Sequence, residues 1–167
     1  MKRNVRWCLV VALLAGIGAW CVKQQPRVMA ASPAMEKNVF PADAIPYGPA
    51  PPFVLPGAQI AVLEGNPMAS TGDYTLRLKM PDGYRIFPHW HPKRENVTII
   101  SGTLKVGMGD RFEESGMGSF AAGSFAFLDP DMHHYVMASG ETVVQVHGMS
   151  PMEFNYVDPK DDPRKNK

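Results

Sequence analysis

The chain has almost no cysteine, and both of its cysteines lie close to its start. Cys8 and Cys21 fall within the first thirty of 167 residues, so the remaining chain has no thiol. Disulfides therefore cannot stabilise a domain formed by that remainder, even in an oxidising compartment.

A strong net charge is also absent. The chain has 17 basic and 16 acidic residues, which gives a formal charge of +1. Five of the basic residues and none of the acidic residues lie in the first thirty positions, which leaves 12 basic and 16 acidic residues beyond them. Such a mildly acidic domain has no electrostatic reason to bind nucleic acid or an anionic membrane.

Only one long apolar run is present, at residues 7–22, and no helical period follows it. The run lies between a basic start and the small residues Ala30 and Ala31, a pattern typical of an export signal. We predict a signal peptide over residues 1–30, cleaved near Ala30, and a periplasmic or secreted product that is free of the membrane. The alternative is a retained N-terminal membrane anchor, because the run is only just short of a membrane span.

The remaining chain has three parts. Residues 31–57 are rich in proline, which favours an extended arm over the surface. Residues 58–157 consist of short apolar or alternating runs between glycine- or aspartate-rich turns, and this pattern predicts an all-β antiparallel sandwich or barrel. Residues 158–167 are charged and interrupted by proline, so we predict a flexible tail. The predicted strands are 59–63, 74–80, 84–91, 96–101, 103–108, 124–128, 135–138, 142–147 and 154–157.

A set of four potential metal ligands is the strongest functional signal. His89 and His91 are one residue apart, and alternate residues of a strand point to the same face, so their imidazoles enter one space. Glu95 begins the returning strand, and His134 follows a second glycine-led hairpin. First-row divalent metals accept three neutral imidazoles and one carboxylate while keeping coordination positions open. We therefore predict one divalent metal bound by these four residues.

These residues also carry a family resemblance. The segment Gly83-x5-His89-x-His91-x3-Glu95-x6-Gly102 matches the first motif of the cupin superfamily, and the spacing from Gly123 to His134 resembles the second. The second motif departs from the family pattern, because Asp129-Pro130-Asp131 replaces Pro-x-Gly and Ala138 replaces the usual asparagine. The resemblance covers residues 58–156 and is strongest to small exported single-domain cupins of the type 2 kind. It implies an antiparallel double-stranded β-helix, or jelly-roll barrel, with the metal inside one end.

Two pairs of residues leave a choice of orientation. Neighbours in an extended strand face opposite sides, so only one of His133 and His134 can enter the barrel. The spacing from Gly123 selects His134 and leaves His133 at the rim or surface.

Gln145 and His147 share one face of their strand. If that face points inward, they become pocket groups that orient a substrate or accept a proton. Otherwise they lie on the outside or at an oligomer contact.

Two classes of function fit this ligand set. In the first, the protein is an enzyme whose metal activates a small oxygen-bearing substrate, such as an enol or phenolate, for oxygenation or isomerisation. The resemblance then implies that Glu95 acts both as a ligand and as a proton acceptor. In the second, the barrel captures a metal or a chelating small molecule without turnover. Mn, Fe, Ni, Cu and Zn all tolerate three histidines and a glutamate.

The expected partners are the small molecule and a second copy of the chain. A disulfide-free domain behind a long proline-rich arm has a limited core of its own. Cupins commonly bury such arms against a partner barrel, so the resemblance implies a homodimer to which residues 40–63 contribute.

Overall fold

The structure is a computed structural model, and it describes residues 36–165. The predicted signal peptide at residues 1–30 lies outside the described residues. The chain divides into two units, Met1–Asn38 and Val39–Lys167. The short 3₁₀ helix Glu36–Asn38 is the described part of the first unit. All further description concerns the second.

Antiparallel strands make up this second unit, and residues 36–165 contain no α-helix. The all-β antiparallel prediction is therefore confirmed. Two more short 3₁₀ helices, Glu114–Gly116 and Pro159–Asp161, lie in the connections. No helix within the described part of the chain has the length and hydropathy needed to cross a membrane. The strands are β1 Gly48–Pro49, β2 Gln59–Glu64, β3 Asp73–Met80, β4 Arg85–Trp90, β5 Glu95–Met108, β6 Gly118–Ala121, β7 Phe125–Leu128, β8 His134–Met149 and β9 Asn155–Tyr156.

Two long strands, β5 and β8, form the centre of the sheet. They pair with each other along nearly their whole length, from Glu95 opposite Gly148 to Met108 opposite His134. The other edge of β8 is shared by β3 and β4, and the other edge of β5 is shared by β7 and β6. Strands β2 and β1 continue the sheet beyond β3, and β9 continues it beyond β4.

Both long strands bend instead of ending at the glycines that the sequence analysis interpreted as turns. The β5–β8 register shifts around Ser101, and Gly102 takes a left-handed backbone with φ 74°. A side chain at Gly102 would overlap the backbone carbonyl of Glu141, so the two strands approach closely there. Glycine at a bulge bends a strand without ending its ladder. The structure therefore joins four predicted strands into two.

The apolar residues on the concave face of the sheet form one core. The alternation along each strand sends these side chains inward, and they include Leu76, Ile86, Val97, Ile99, Leu104, Val144 and Val146. The proline-rich arm adds to this core, because Val54 is only 5% exposed. The arm is also tied to the barrel through its backbone. The carbonyl of Leu55 accepts a hydrogen bond from the Tyr84 hydroxyl, and that of Phe53 accepts one from Tyr156 at 2.8 Å.

The segment after β9 packs against the barrel as far as Lys165. Asp162 is buried and accepts a hydrogen bond from Arg164 Nε at 2.8 Å. Arg164 also donates to the carbonyl of Phe154 at 3.0 Å. Within the described residues, the bond from Arg164 to Phe154 therefore connects this segment to the domain, and the flexible tail at residues 158–167 stays a prediction.

Candidate metal centre

Three buried imidazoles meet at one end of the barrel. His89 lies in β4, His91 follows that strand, and His134 begins β8 directly opposite His89 in the register. The three rings lie with centroids 4.1 to 5.5 Å apart. One ligand nitrogen from each lies within 4.8 Å of the others. The side chains that the sequence analysis selected are therefore brought together.

A bulge in β4 points the histidines into the barrel. Ile86 and His89 both line the interior, although strict alternation would send residues three apart to opposite faces. The register between β4 and β8 shifts between these two residues, where Pro88 cannot donate a hydrogen bond to the ladder. Bulges of this kind redirect side chains beside functional sites. Proline within the predicted strand was the available sequence signal for it.

Backbone carbonyls determine which nitrogen of each ring faces the centre. The Nδ1 atoms lie 2.6 to 2.9 Å from carbonyl oxygens, those of Phe87 for His89, Glu153 for His91 and Met132 for His134. Carbonyls only accept hydrogen bonds, so each Nδ1 carries a proton, and in the neutral form of each ring Nε2 offers a free lone pair. The Nε2 of His91 is buried and has no hydrogen-bond partner among the described residues. A metal would satisfy that atom, and outer hydrogen bonds of this type are usual for metal-binding histidines.

Glu95 completes the donor set. It begins β5, and its Oε2 lies 3.8 Å from His91 Nε2 and 3.6 Å from His134 Nε2. Burial acts to raise the pKa of Glu95, but the two histidines outweigh it, so the net pKa is lowered and the carboxylate is ionised. Burial is the main cause that lowers the pKa of His89 well below its ordinary value, and the neighbouring imidazoles of His134 and His91 lower it further. Neutral imidazole and ionised carboxylate are the forms that bind a divalent metal, so these residues fit one.

A segment outside the sequence motifs supports the centre from one side. The ring of Phe154 stacks on His89 with centroids 4.1 Å apart and also touches the edge of His91 at 5.1 Å. Strand β9 pairs with β4 so that Tyr156 lies opposite His89. From the sequence, Phe154 is predicted only to lie in a strand, because no local pattern shows which distant ring it will contact.

His133 lies on the other side of the strand from His134. Its Nδ1 is 2.6 Å from Asp110 Oδ1, and its ring stacks on Trp90 at 6.4 Å. His133 is partly exposed, whereas His134 is 2% exposed. The structure thus brings His134 to the centre and leaves His133 on the outer face.

Gln145 and His147 lie outside the barrel interior. Their neighbours on β8, Val144 and Val146, line the cavity instead. Gln145 accepts a hydrogen bond from Arg77 Nε at 3.1 Å on the outer face of the sheet. This placement corrects the alternative in which Gln145 and His147 are pocket groups, because alternation along β8 sends them away from the ligands.

The metal centre opens on a cavity of about 100 Å³ inside the barrel. Its walls come from strands of the curled sheet and from the arm residues Pro51, Phe53 and Val54. The arm therefore covers part of the cavity that holds the candidate centre.

Comparison with solved structures identifies the architecture. An acetylacetone dioxygenase from Acinetobacter johnsonii superposes with a TM-score of 0.55 and 21% identity, covering 74% of this chain and 79% of that one. The polyketide cyclase RemF from Streptomyces resistomycificus gives 0.53 and 14%, covering 64% and 75%. An RmlC-like cupin from Shewanella frigidimarina gives 0.50 and 14%, covering 66% and 88%.

These similarities show that the chain has the cupin fold. At identities this low they carry information about the fold alone. No protein-family model matches the sequence, and no curated protein matches it either.

Proposed function

We propose that this cupin-fold protein is a metal-dependent enzyme that acts on a small oxygen-bearing substrate by oxygenation or isomerisation. One observation carries the proposal. Three buried imidazoles place one ligand nitrogen each within 4.8 Å of the others, the Glu95 carboxylate lies 3.6 to 3.8 Å from two of these rings, and the cluster opens on a cavity. First-row divalent metals commonly take up to six ligands, so four from the protein leave positions for a substrate.

The roles of the residues follow from their surroundings. His89, His91 and His134 would hold the metal, and the carbonyls behind them keep each ring in the correct tautomer. When bound, a divalent metal would supply Lewis acidity and lower the pKa of an enol or phenol. The carboxylate of Glu95 lies at the same point and is ionised, so it can accept the proton that such a substrate releases.

The similar structures are consistent with an enzyme without identifying its reaction. By name, one is a dioxygenase for acetylacetone and another is a polyketide cyclase. For this chain, a substrate that presents an enol oxygen is a proposal supported by the donor set. The metal is proposed to be Mn, Fe, Ni, Cu or Zn, all of which accept these ligands.

We also propose that the protein acts outside the cytoplasm. The support is the basic start and the apolar run at residues 7–22, followed by small residues near Ala30. Residues 1–30 contain no twin-arginine pair, so the chain would be exported in the unfolded state. It would then bind its metal in the compartment to which it is exported. Protein recovered from its native compartment and analysed for metal content would therefore identify the metal.

Glu95→Gln tests the proposed catalytic role. Glutamine keeps an oxygen donor but loses the charge and basicity of the carboxylate, so turnover should fall by about 100-fold or more. Metal content should fall much less. Elemental analysis and oxygen uptake with enols and catechols measure the two effects separately. Glu141→Gln, at an exposed carboxylate paired with Lys79, is the control and should change neither.

A different pattern would favour a binding protein without turnover. In that case Glu95→Gln would lose only metal, and azide or nitric oxide would fail to change the spectrum of the metal-loaded protein. No chelating compound would then be consumed.

A further inference from the structure

The main polar groups of the cavity, the four candidate ligands, lie at one end. Among the described residues that line it, the polar side chains are the four candidate ligands and Ser124. Glu95 is the only carboxylate among the described lining residues, and no lysine or arginine lines the cavity. The remaining wall is aliphatic or aromatic, and includes Leu78, Ile86, Val97, Val106, Val136 and Val146.

This apolar wall begins immediately beside the candidate ligands. Val97 lies two residues after Glu95 on β5, and Val136 lies two residues after His134 on β8. Residues two apart on a strand face the same side, and both valines line the cavity. A molecule held at the centre therefore contacts mainly apolar surface beyond the atoms that reach the metal, with Ser124 as the one other polar side chain among the described lining residues.

The size of the cavity limits that molecule. Its volume is about 100 Å³, whereas an apolar protein cavity of about 150 Å³ holds one benzene molecule. The part of a ligand inside the barrel is therefore on the order of a short alkyl group or a single small ring.

We propose that the substrate joins one metal-chelating oxygen group to a small, uncharged apolar body, with no carboxylate, phosphate, ammonium or hydroxyl on that body. A charged group there would be buried without a partner, and a hydroxyl would lose its hydrogen bonds to water. Sugars, amino acids and phosphorylated compounds are excluded on this basis. The inference rests on the proposed function, since it requires an open metal at the centre.

Two hydroxamates form a matched pair of probes. Butyrohydroxamate and succinomonohydroxamate share the chelating head and a short chain, but one ends in a methyl group and the other in a carboxylate. Calorimetric titration into protein loaded with one equivalent of Ni²⁺ should show that the carboxylate compound binds weaker by about 100-fold or more, because its charge enters an apolar site.

A second experiment changes the wall. Val136→Thr keeps the shape of the side chain and places a hydroxyl beside the centre, so it should weaken butyrohydroxamate by about tenfold without changing metal content. Val143→Thr is the matched control, since Val143 is also partly buried but faces away from the cavity on the same strand. It should leave the affinity unchanged. If Val136→Thr does not fold, judged by circular dichroism, Val146→Thr makes the same change on the opposite half of β8.

The outcomes separate the two proposals. Equal affinity for the two hydroxamates, or equal effects of Val136→Thr and Val143→Thr, would overturn the substrate class and leave the open metal centre intact. If the Ni²⁺-loaded protein bound neither hydroxamate, the centre would have no open position, and the proposed function would fall together with the substrate class.

Discussion

The carbonyls of Phe87, Met132 and Glu153 decide how the three imidazoles are oriented. Each accepts a hydrogen bond from Nδ1, which leaves Nε2 free at the centre. Two of them lie two residues before their histidine along the chain, but Glu153 lies 62 residues after His91. The donor geometry of this site therefore depends on backbone groups that no residue motif records.

Adjacent histidines give a direct test of the site. Replacing His134 with alanine removes a ligand from the buried centre, so the affinity for the metal should fall by about 100-fold or more. The metal content after dialysis should fall accordingly. His133→Ala removes a group that contacts Asp110 on the outer face and should leave metal content nearly unchanged. Elemental analysis and competition with a chromogenic chelator measure both variants.

The reverse result would identify a different register. If His133→Ala lost the metal and His134→Ala kept it, β8 would face the barrel with its odd-numbered residues. The placement of Val144 and Val146 in the cavity would then be wrong as well.

At the scale of strands, close packing leaves no room for a side chain at certain glycines. Gly107 on β5 faces Tyr135 on β8, and a Cβ at Gly107 would overlap the tyrosine ring. Tyr135 is itself buried and packs against Phe112. The ring therefore has little freedom to move away.

Gly107→Ala should destabilise the protein by about 1–3 kcal/mol, the usual penalty for overpacking a buried site. Denaturant unfolding of the metal-free protein measures the change. Gly116→Ala is the control, because a Cβ there meets nothing within 4 Å. Equal stability of the two variants would show that β5 and β8 lie further apart at this point than described.

The segment after β9 contains an ion pair, between Asp162 and Arg164, that depends on pH. Hydrogen bonds from Arg164 lower the pKa of Asp162 and outweigh the opposing effect of burial. A carboxyl pKa that is lowered on folding stabilises the folded state at pH values above the ordinary pKa of the group, which is near 3.8. That contribution is lost as pH falls through the folded-state pKa.

Arg164→Gln should therefore lower the melting temperature at pH 7 by about 2–4 °C, a modest effect because solvent screens the exposed guanidinium. The difference from the unmodified protein should shrink as the pH is lowered from 5 to 2. Asp158→Asn serves as the comparison, because Asp158 caps the 3₁₀ helix Pro159–Asp161 and is not bonded to Arg164. A difference that persisted at pH 2 would mean that Arg164 acts through packing and its bond to Phe154.

For the whole molecule, we propose a homodimer whose contact includes residues 40–63. Within that range the structure already packs Val54 against its own barrel, so an intermolecular contact must use the outward-facing side chains. Val62 on β2 is one of these, since it is 42% exposed. Edge strand β1, which is only two residues long, lies beside it.

Val62→Glu should convert the dimer into a monomer at micromolar concentration, because it places a charge in an apolar contact. Multi-angle light scattering measures the mass. Met68→Glu changes an exposed apolar residue outside residues 40–63 and should leave the mass unchanged. A monomeric unmodified protein at the same concentration would contradict the proposal.

The sequence by itself determined the fold class and the set of candidate ligands. Alternating apolar residues and glycine-led turns predicted an antiparallel β-protein, and the spacing of His89, His91, Glu95 and His134 selected the residues that the barrel brings together. Both patterns work because the alternation of side chains along a strand is local and needs no knowledge of distant parts of the chain.

Only the tertiary structure decided how those residues are held and what surrounds them. The bulge at Pro88, the bond from His91 to the Glu153 carbonyl, the stacking of Phe154 on His89 and the outward placement of Gln145 all depend on which strands become neighbours. The same holds for Gly102, where the sequence predicted the end of a strand and the structure has a bend. Strand pairing joins residues far apart in the chain, and local periodicity carries no information about which partners will meet.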